Sequence, residues 1–259
     1  MRDLREGLGG DGVVVNGWLS VDSPYLAEVV SHSGFDCITV DLQHGMFDLG
    51  GAIGLLQGIA LGEAVPMART SKLDAAIIGK LLDAGAQAVI CPTVDTAAEA
   101  AEFVAMCRYP PQGVRSYGPA RAHLGVGSDY VTSARPMTWA MIESAPAMEN
   151  LEEIAATEGL DALYVGPNDL ALALGAAAGT VVPPPVVLEA MALIVATAHR
   201  HGLRAGSFCS NGEVARQMAA LGFDLVTPGN EVSLLRSAAA EHISRARGET
   251  DATAAAGGY

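Results

Sequence analysis

The stretch FDCITVDLQHGMFDLGGAIGLLQGIALGEAVPMART, residues 35–70, reads as one strand–helix–strand unit. CITVDL from Cys37 and VPMAR from Val65 are short apolar runs, while Leu49–Leu61 between them has helical patterning and is closed by Gly62. Strands joined through a helix of this length lie parallel, since a tight hairpin cannot connect them.

The alternation continues in both directions. VVVNGWL from Val13 precedes the unit, and AVICPTV from Ala88, TWAMIES from Thr138, ALYVGP from Ala162, RAGSFC from Arg204 and DLVTPG from Asp224 follow it, making eight strand candidates. Helical patterns fall at Ser23–Ser33, Leu73–Ala84, Ala97–Cys107 and Pro185–His201, and Gly34, Gly85, Gly159, Gly202 and Gly222 stand just before strands. Eight evenly spaced units, with no GxGxxG opening the first helix, predict an α/β fold of the closed (β/α)8 TIM-barrel type rather than an open doubly wound sheet. Residues 1–247 are expected to form a single barrel domain, and residues 248–259 a disordered tail. The Gly- and Pro-rich excursion over residues 108–136 is long enough to be a functional or subunit-contact loop.

Half of the 259 residues are hydrophobic and 17% are charged, and the net charge is -14 with the basic residues scattered. That balance disfavours nucleic acid and anionic membrane surfaces as partners. No apolar run reads as a secretory signal or a membrane span, so a soluble, cytoplasmic protein is expected. Cys37, Cys91, Cys107 and Cys209 lack CxxC spacing and suit reduced, mostly buried thiols.

TIM barrels place their chemistry after the strands, and there the sequence sets Asp41 and His44, then Arg69, Glu143 and Asp169. Each has a structural alternative as a helix cap, an ion-pair partner or a satisfied core histidine. Together they point to a site. Glu143 and Asp169 are 26 residues apart, one repeat, so they project from neighbouring strands and can share a divalent cation such as Mg2+ or Mn2+. His44, turned toward the rim by Gly45, can move a substrate proton, and Asp83 at a helix end could orient it. Arg69 offers a charged fork to an enolate or keto acid. The only lysines, Lys72 and Lys80, fall off the strands, which disfavours a Schiff-base mechanism and leaves a metal as electrophile.

The segments FDCITVDLQHGMFD, VPMART, KLLDAGAQAVICP, RYPPQGVRSYG, MIES and YVGPNDLA, in this order, resemble the class II pyruvate aldolases of the HpcH/HpaI family. The resemblance implies a phosphoenolpyruvate/pyruvate-type barrel that cleaves a 4-hydroxy-2-oxo acid to pyruvate and an aldehyde through a metal-stabilised enolate, with Mg2+, Mn2+ or Co2+. It implies that Glu143 and Asp169 hold the metal and that His44, with Asp83 behind it, handles the aldol proton. Arg69 would contact the pyruvate oxygen, the backbone around Gly166, Asn168 and Asp169 would take its carboxylate, and Asp41 would belong to the same substrate rim. It further implies a homo-oligomer, a hexamer with the C-terminal helix from Val232 exchanged between subunits. Gln43 and Met141 depart from the family pattern, which commonly has glutamate and glutamine there. Two other readings fit the scaffold: a CoA-ester lyase-like enolate enzyme, which should show a basic nucleotide patch, and a non-catalytic barrel that binds small keto acids.

Overall fold

The computed structural model describes residues 4–10, 12–124 and 130–249; the expectations for residues 125–129 of the excursion and 250–259 of the tail lie outside the described residues. The eight strands are β1 Val14–Leu19, β2 Cys37–Asp41, β3 Val65–Arg69, β4 Ala88–Cys91, β5 Met137–Ile142, β6 Ala162–Val165, β7 Arg204–Cys209 and β8 Leu225–Pro228. Each pairs in parallel with its sequence neighbours, and β8 returns to β1 through Val14–Leu225 and Val15–Val226, closing the expected barrel.

The helices are α1 Leu4–Leu8, α2 Pro24–Ser31, α3 Leu49–Ile59, α4 Ala75–Asp83, α5 Ala97–Met106, α6 Tyr130–Ser133, α7 Ala145–Glu149, α8 Leu151–Ala155, α9 Pro167–Ala173, α10 Pro185–Arg200, α11 Gly212–Leu221 and α12 Glu231–Arg247. Local chemistry sets their starts. Ser23, Asp48, Asp74, Thr96 and Asn211 each accept a first-turn N–H, and Thr96 with Glu99 forms a full capping box. None of the described helices is long and apolar enough to cross a membrane.

Strand periodicity divides the apolar residues between two layers. On β5, Met137, Trp139 and Met141 point into the barrel, while Ala140 and Ile142 pack outward against the helices. Trp18, Cys37, Val65, Met67, Ala88, Ile90 and Tyr164 join the inner layer. α1, which the strand pattern did not foretell, sends Leu4 and Leu8 into that layer. All four cysteines are buried and unpaired, as their spacing suggested.

Parity also fixes the site. Inward positions run Cys37–Thr39–Asp41 on β2, Val65–Met67–Arg69 on β3 and Met137–Trp139–Met141 on β5, with Glu143 next in that series just past the strand. The apolar layers fill the barrel below, and the polar members form its carboxyl-end rim.

Candidate active site

The rim surrounds a cavity of about 390 Å³. His44, Arg69, Glu143, Asn168 and Asp169 line its polar side, and Trp18, Met141, Tyr164 and Phe208 its apolar side. Five of the sequence-selected residues therefore meet at one cavity, and Gly166 lies in its wall.

Arg69 is held from two directions. Its Nε and Nη2 donate to Oδ1 and Oδ2 of Asp41 at 2.8 and 2.5 Å, and its guanidinium lies 4.8 Å from the centroid of the Trp18 ring. Trp18 Nε1 donates to Asp41 Oδ2 at 3.1 Å. Asp41 is fully buried, and its Oδ1 also accepts the backbone N–H groups of Gln43 and His44 at 3.1 and 3.3 Å. Its carboxylate thus ties the arginine to the start of the His44 loop. Gly45 then turns the chain so tightly that a Cβ there would stand 2.2 Å from the Asp41 carbonyl oxygen, and its N–H donates to that oxygen at 3.0 Å.

Glu143 is 6% exposed and faces Asp169 from the neighbouring strand end. Burial, and next the Asp169 carboxylate, push the Glu143 carboxyl up to about 7, against hydrogen bonds from Thr93 and the charge of Arg69. Thr93 N–H donates to Oε1 at 3.0 Å, and its hydroxyl lies 3.4 Å from the same oxygen. Among the described residues Thr93 is the only non-glycine with positive φ, at 52°, an unfavourable region for a β-branched side chain. Oε2 lies against Gly166, where a Cβ would come within 2.3 Å of it.

Two adjacent carboxylates lining this cavity are a hard-oxygen donor pair, and a divalent cation would offset their mutual repulsion. Glu143 and Asp169 fit that group. Among the described residues no cluster of three or more His, Cys, Asp or Glu is arranged for metal binding, so water and substrate would complete the coordination. Lys72 pairs weakly with Asp74 at 3.9 Å with a side chain 71% exposed, Lys80 is exposed, and neither lines the cavity.

Asp83 is placed elsewhere. It ends α4, which descends from the rim, and lies just ahead of β4 at the amino end of the barrel. The five residues of β3 at roughly 3.3 Å each put about 15 Å between the two ends. There Arg115 Nη2 donates to Asp83 Oδ1 at 2.7 Å while the guanidinium stacks 4.5 Å from the Tyr109 centroid. The RYPPQGVRSYG segment thus supports Asp83, and one chain does not bring it to His44. Asn168 Oδ1 accepts the Gly179 N–H at 2.9 Å, tying down the irregular segment before α10.

Sequence reasoning missed Trp18, Thr93, Tyr164 and Phe208. Trp18 and Tyr164 have the inward parity of their strands, a signal available from the alternation. Thr93 gives none, because its role depends on backbone conformation.

The profile of the HpcH/HpaI aldolase/citrate lyase family matches residues 15–238. A hydroxypyruvate/pyruvate aldolase from Rhizorhabdus wittichii is 40% identical over 233 residues, covering 89% of this chain and 93% of its own. A 5-keto-4-deoxy-D-glucarate aldolase from Klebsiella pneumoniae is 32% identical over 241 residues, covering 91% and 93%. The crystal structure of an HpcH/HpaI aldolase/citrate lyase family protein from Burkholderia cenocepacia superposes with a TM-score of 0.88 at 32% identity, over 94% of this chain and 98% of that one. The profile runs from β1 into α12 and includes every strand end that supplies the rim, so the chain belongs to the HpcH/HpaI aldolase/citrate lyase family.

Proposed function

We propose that this carbon–carbon lyase is a metal-dependent aldolase, reversibly cleaving a 4-hydroxy-2-oxo acid to pyruvate and an aldehyde. The observation that carries the reading is the Glu143–Asp169 carboxylate pair in a cavity that also presents Arg69 and His44. A cation held by that pair would supply Lewis acidity at the keto oxygen. His44 takes the proton of the C4 hydroxyl, the C3–C4 bond breaks, and its electron pair passes into the keto group as an enolate. Arg69, held in place by Asp41 and Trp18, presents positive charge to the enolate oxygen; a solvent proton added at C3 completes pyruvate, and His44 returns the proton it took to solvent. Asp41 acts in this scheme through Arg69. The first-turn N–H groups of Asn168 and Asp169 follow Gly166, a helix start without a side-chain cap, and receive the substrate carboxylate.

The relatives' names extend the carbonyl donor to hydroxypyruvate. A screen of aldehydes against pyruvate and hydroxypyruvate, with chelator-stripped protein and added Mg2+, Mn2+ or Co2+, tests the function. Cleavage and condensation should vanish on stripping and return with metal. Full activity in a preparation verified as metal-free would refute the reading.

A further inference from the structure

We infer that Glu231, the first residue of α12, is a positioning residue for the loop that carries His44; the inference rests on the proposed role of His44 in aldol proton transfer. Glu231 is 6% exposed, and its carboxylate is committed to the chain just past β1. Its Oε1 accepts the Ser20 and Val21 N–H groups at 2.6 and 2.7 Å, and the Ser20 hydroxyl lies 3.2 Å from both oxygens. These are charge-assisted bonds at a helix start, where the helix dipole favours an anion.

Ser20 passes the restraint on. Its carbonyl accepts the Met46 N–H at 2.8 Å, two residues beyond His44. The loop is therefore gripped on both sides of the histidine, by Asp41 through Gln43, His44 and Gly45, and by Ser20 through Met46. The Met46 side chain is 86% exposed, so at that residue the hydrogen bond, rather than packing, locates the loop. Asp41 is anchored by Arg69 and Trp18, and on the Ser20 side, just past the end of β1, Glu231 supplies the side-chain anchor.

A catalytic group displaced by about 1 Å loses on the order of 10²-fold in rate. Glu231→Ala should therefore lower cleavage of 4-hydroxy-2-oxopentanoate by that order, while the Kd for Mn2+ and deuterium exchange into the pyruvate methyl group stay at wild-type values. Glu231→Gln keeps an acceptor oxygen and should restore most of the cleavage rate. His44→Ala is measured in parallel. If it cleaves like wild type, the reading of His44 fails, and this inference with it. If His44→Ala is inactive in cleavage but Glu231→Ala is not, the inference alone is overturned. It is equally overturned if Glu231→Ala loses cleavage, exchange and Mn2+ affinity together, or if Glu231→Gln fails to restore cleavage. Should Glu231→Ala not fold, Glu231→Asp, which withdraws the carboxylate by one methylene, is read in the same assays: selective loss of cleavage supports the inference, and unchanged or uniformly reduced behaviour overturns it.

Discussion

A buried carboxylate facing another carboxylate is a stability cost that a binding site tolerates and a structural core does not. In the metal-free protein Glu143 keeps its proton up to about 7, whereas in an unfolded chain it would lose it near 4.5. Its contribution to stability is thus complete below about 4.5 and is lost as pH rises to about 7. Glu143→Gln should make the metal-free protein more stable than wild type at pH 8, on the order of 3 kcal/mol, with the difference shrinking as pH falls and vanishing below about 4.5. Mn2+ should raise the wild-type Tm increasingly between pH 6 and 8 and leave the variant unmoved. Melting curves across that range decide it, and a variant less stable than wild type at pH 8 would contradict this account of the charge pair. The other two polar groups separate by chemistry, since an imidazole can carry a proton and a guanidinium effectively cannot. His44→Ala should lose about 10²–10⁴-fold in cleavage and still exchange pyruvate methyl protons. Because Asp41 is fully buried, Arg69→Ala would strand its charge; Arg69→Lys keeps a cation, removes the fork, and should slow both reactions. Proton NMR of pyruvate in D2O beside a coupled cleavage assay checks the pair.

Most of the barrel was legible in the sequence because each strand is a short apolar run between glycine-marked helix ends, and parity then determines which residues face inward. The run written from Thr138 begins at Met137, yet a boundary shift of one residue leaves Glu143 at the rim, because its side is set by counting in twos from Trp139 and Met141. What escaped depends on elements meeting across the fold. Trp18 reads as a core residue until Arg69 is seen above its ring, and Asp83, a helix-end residue in the sequence, is a possible partner for His44 until α4 is traced to the far end of the barrel. Gly166 is an expected substrate contact that also leaves room for the Glu143 carboxylate, since a Cβ there would come within 2.3 Å of Oε2. Its φ of -94° suits alanine, so the backbone of the β6–α9 turn should tolerate Gly166→Ala while the carboxylate is displaced. Mn2+ affinity should fall about 10–100-fold, as for other residues that orient a metal ligand, with Tm in the metal-free state little changed. Calorimetric titration of Mn2+ beside thermal melts would expose the alternative: a large loss of Tm would mean that the turn itself had failed.

At the scale of the whole molecule, a single chain leaves one apolar helix face open and holds the two members of the proposed Asp83–His44 pair apart. α12 has 17 residues, and of these only Glu231 and Ser244 are buried; Leu234, Leu235 and Ile243 are 42%, 70% and 50% exposed. Asp83 and its supporting Arg115 stand at the opposite end of the barrel from His44. Both would be resolved by a homo-oligomer, the expected hexamer among them, in which the amino end of one barrel approaches the rim of another. Light scattering should accordingly give a mass above that of one chain at micromolar concentration. Asp83 then offers a sharper test. Neither His44→Ala nor Asp83→Ala has a complete pair, and if both groups came from the same chain, a mixture of the two would stay inactive. If they come from different chains, co-refolded equal amounts should recover about a quarter of wild-type cleavage, since by random assembly about a quarter of sites pair an intact His44 with an intact Asp83. Recovery would place the proton-handling pair across an interface. No recovery from a mixture shown by mass spectrometry to contain mixed oligomers would confine Asp83 to a structural role beside Arg115 and leave His44 to act without it.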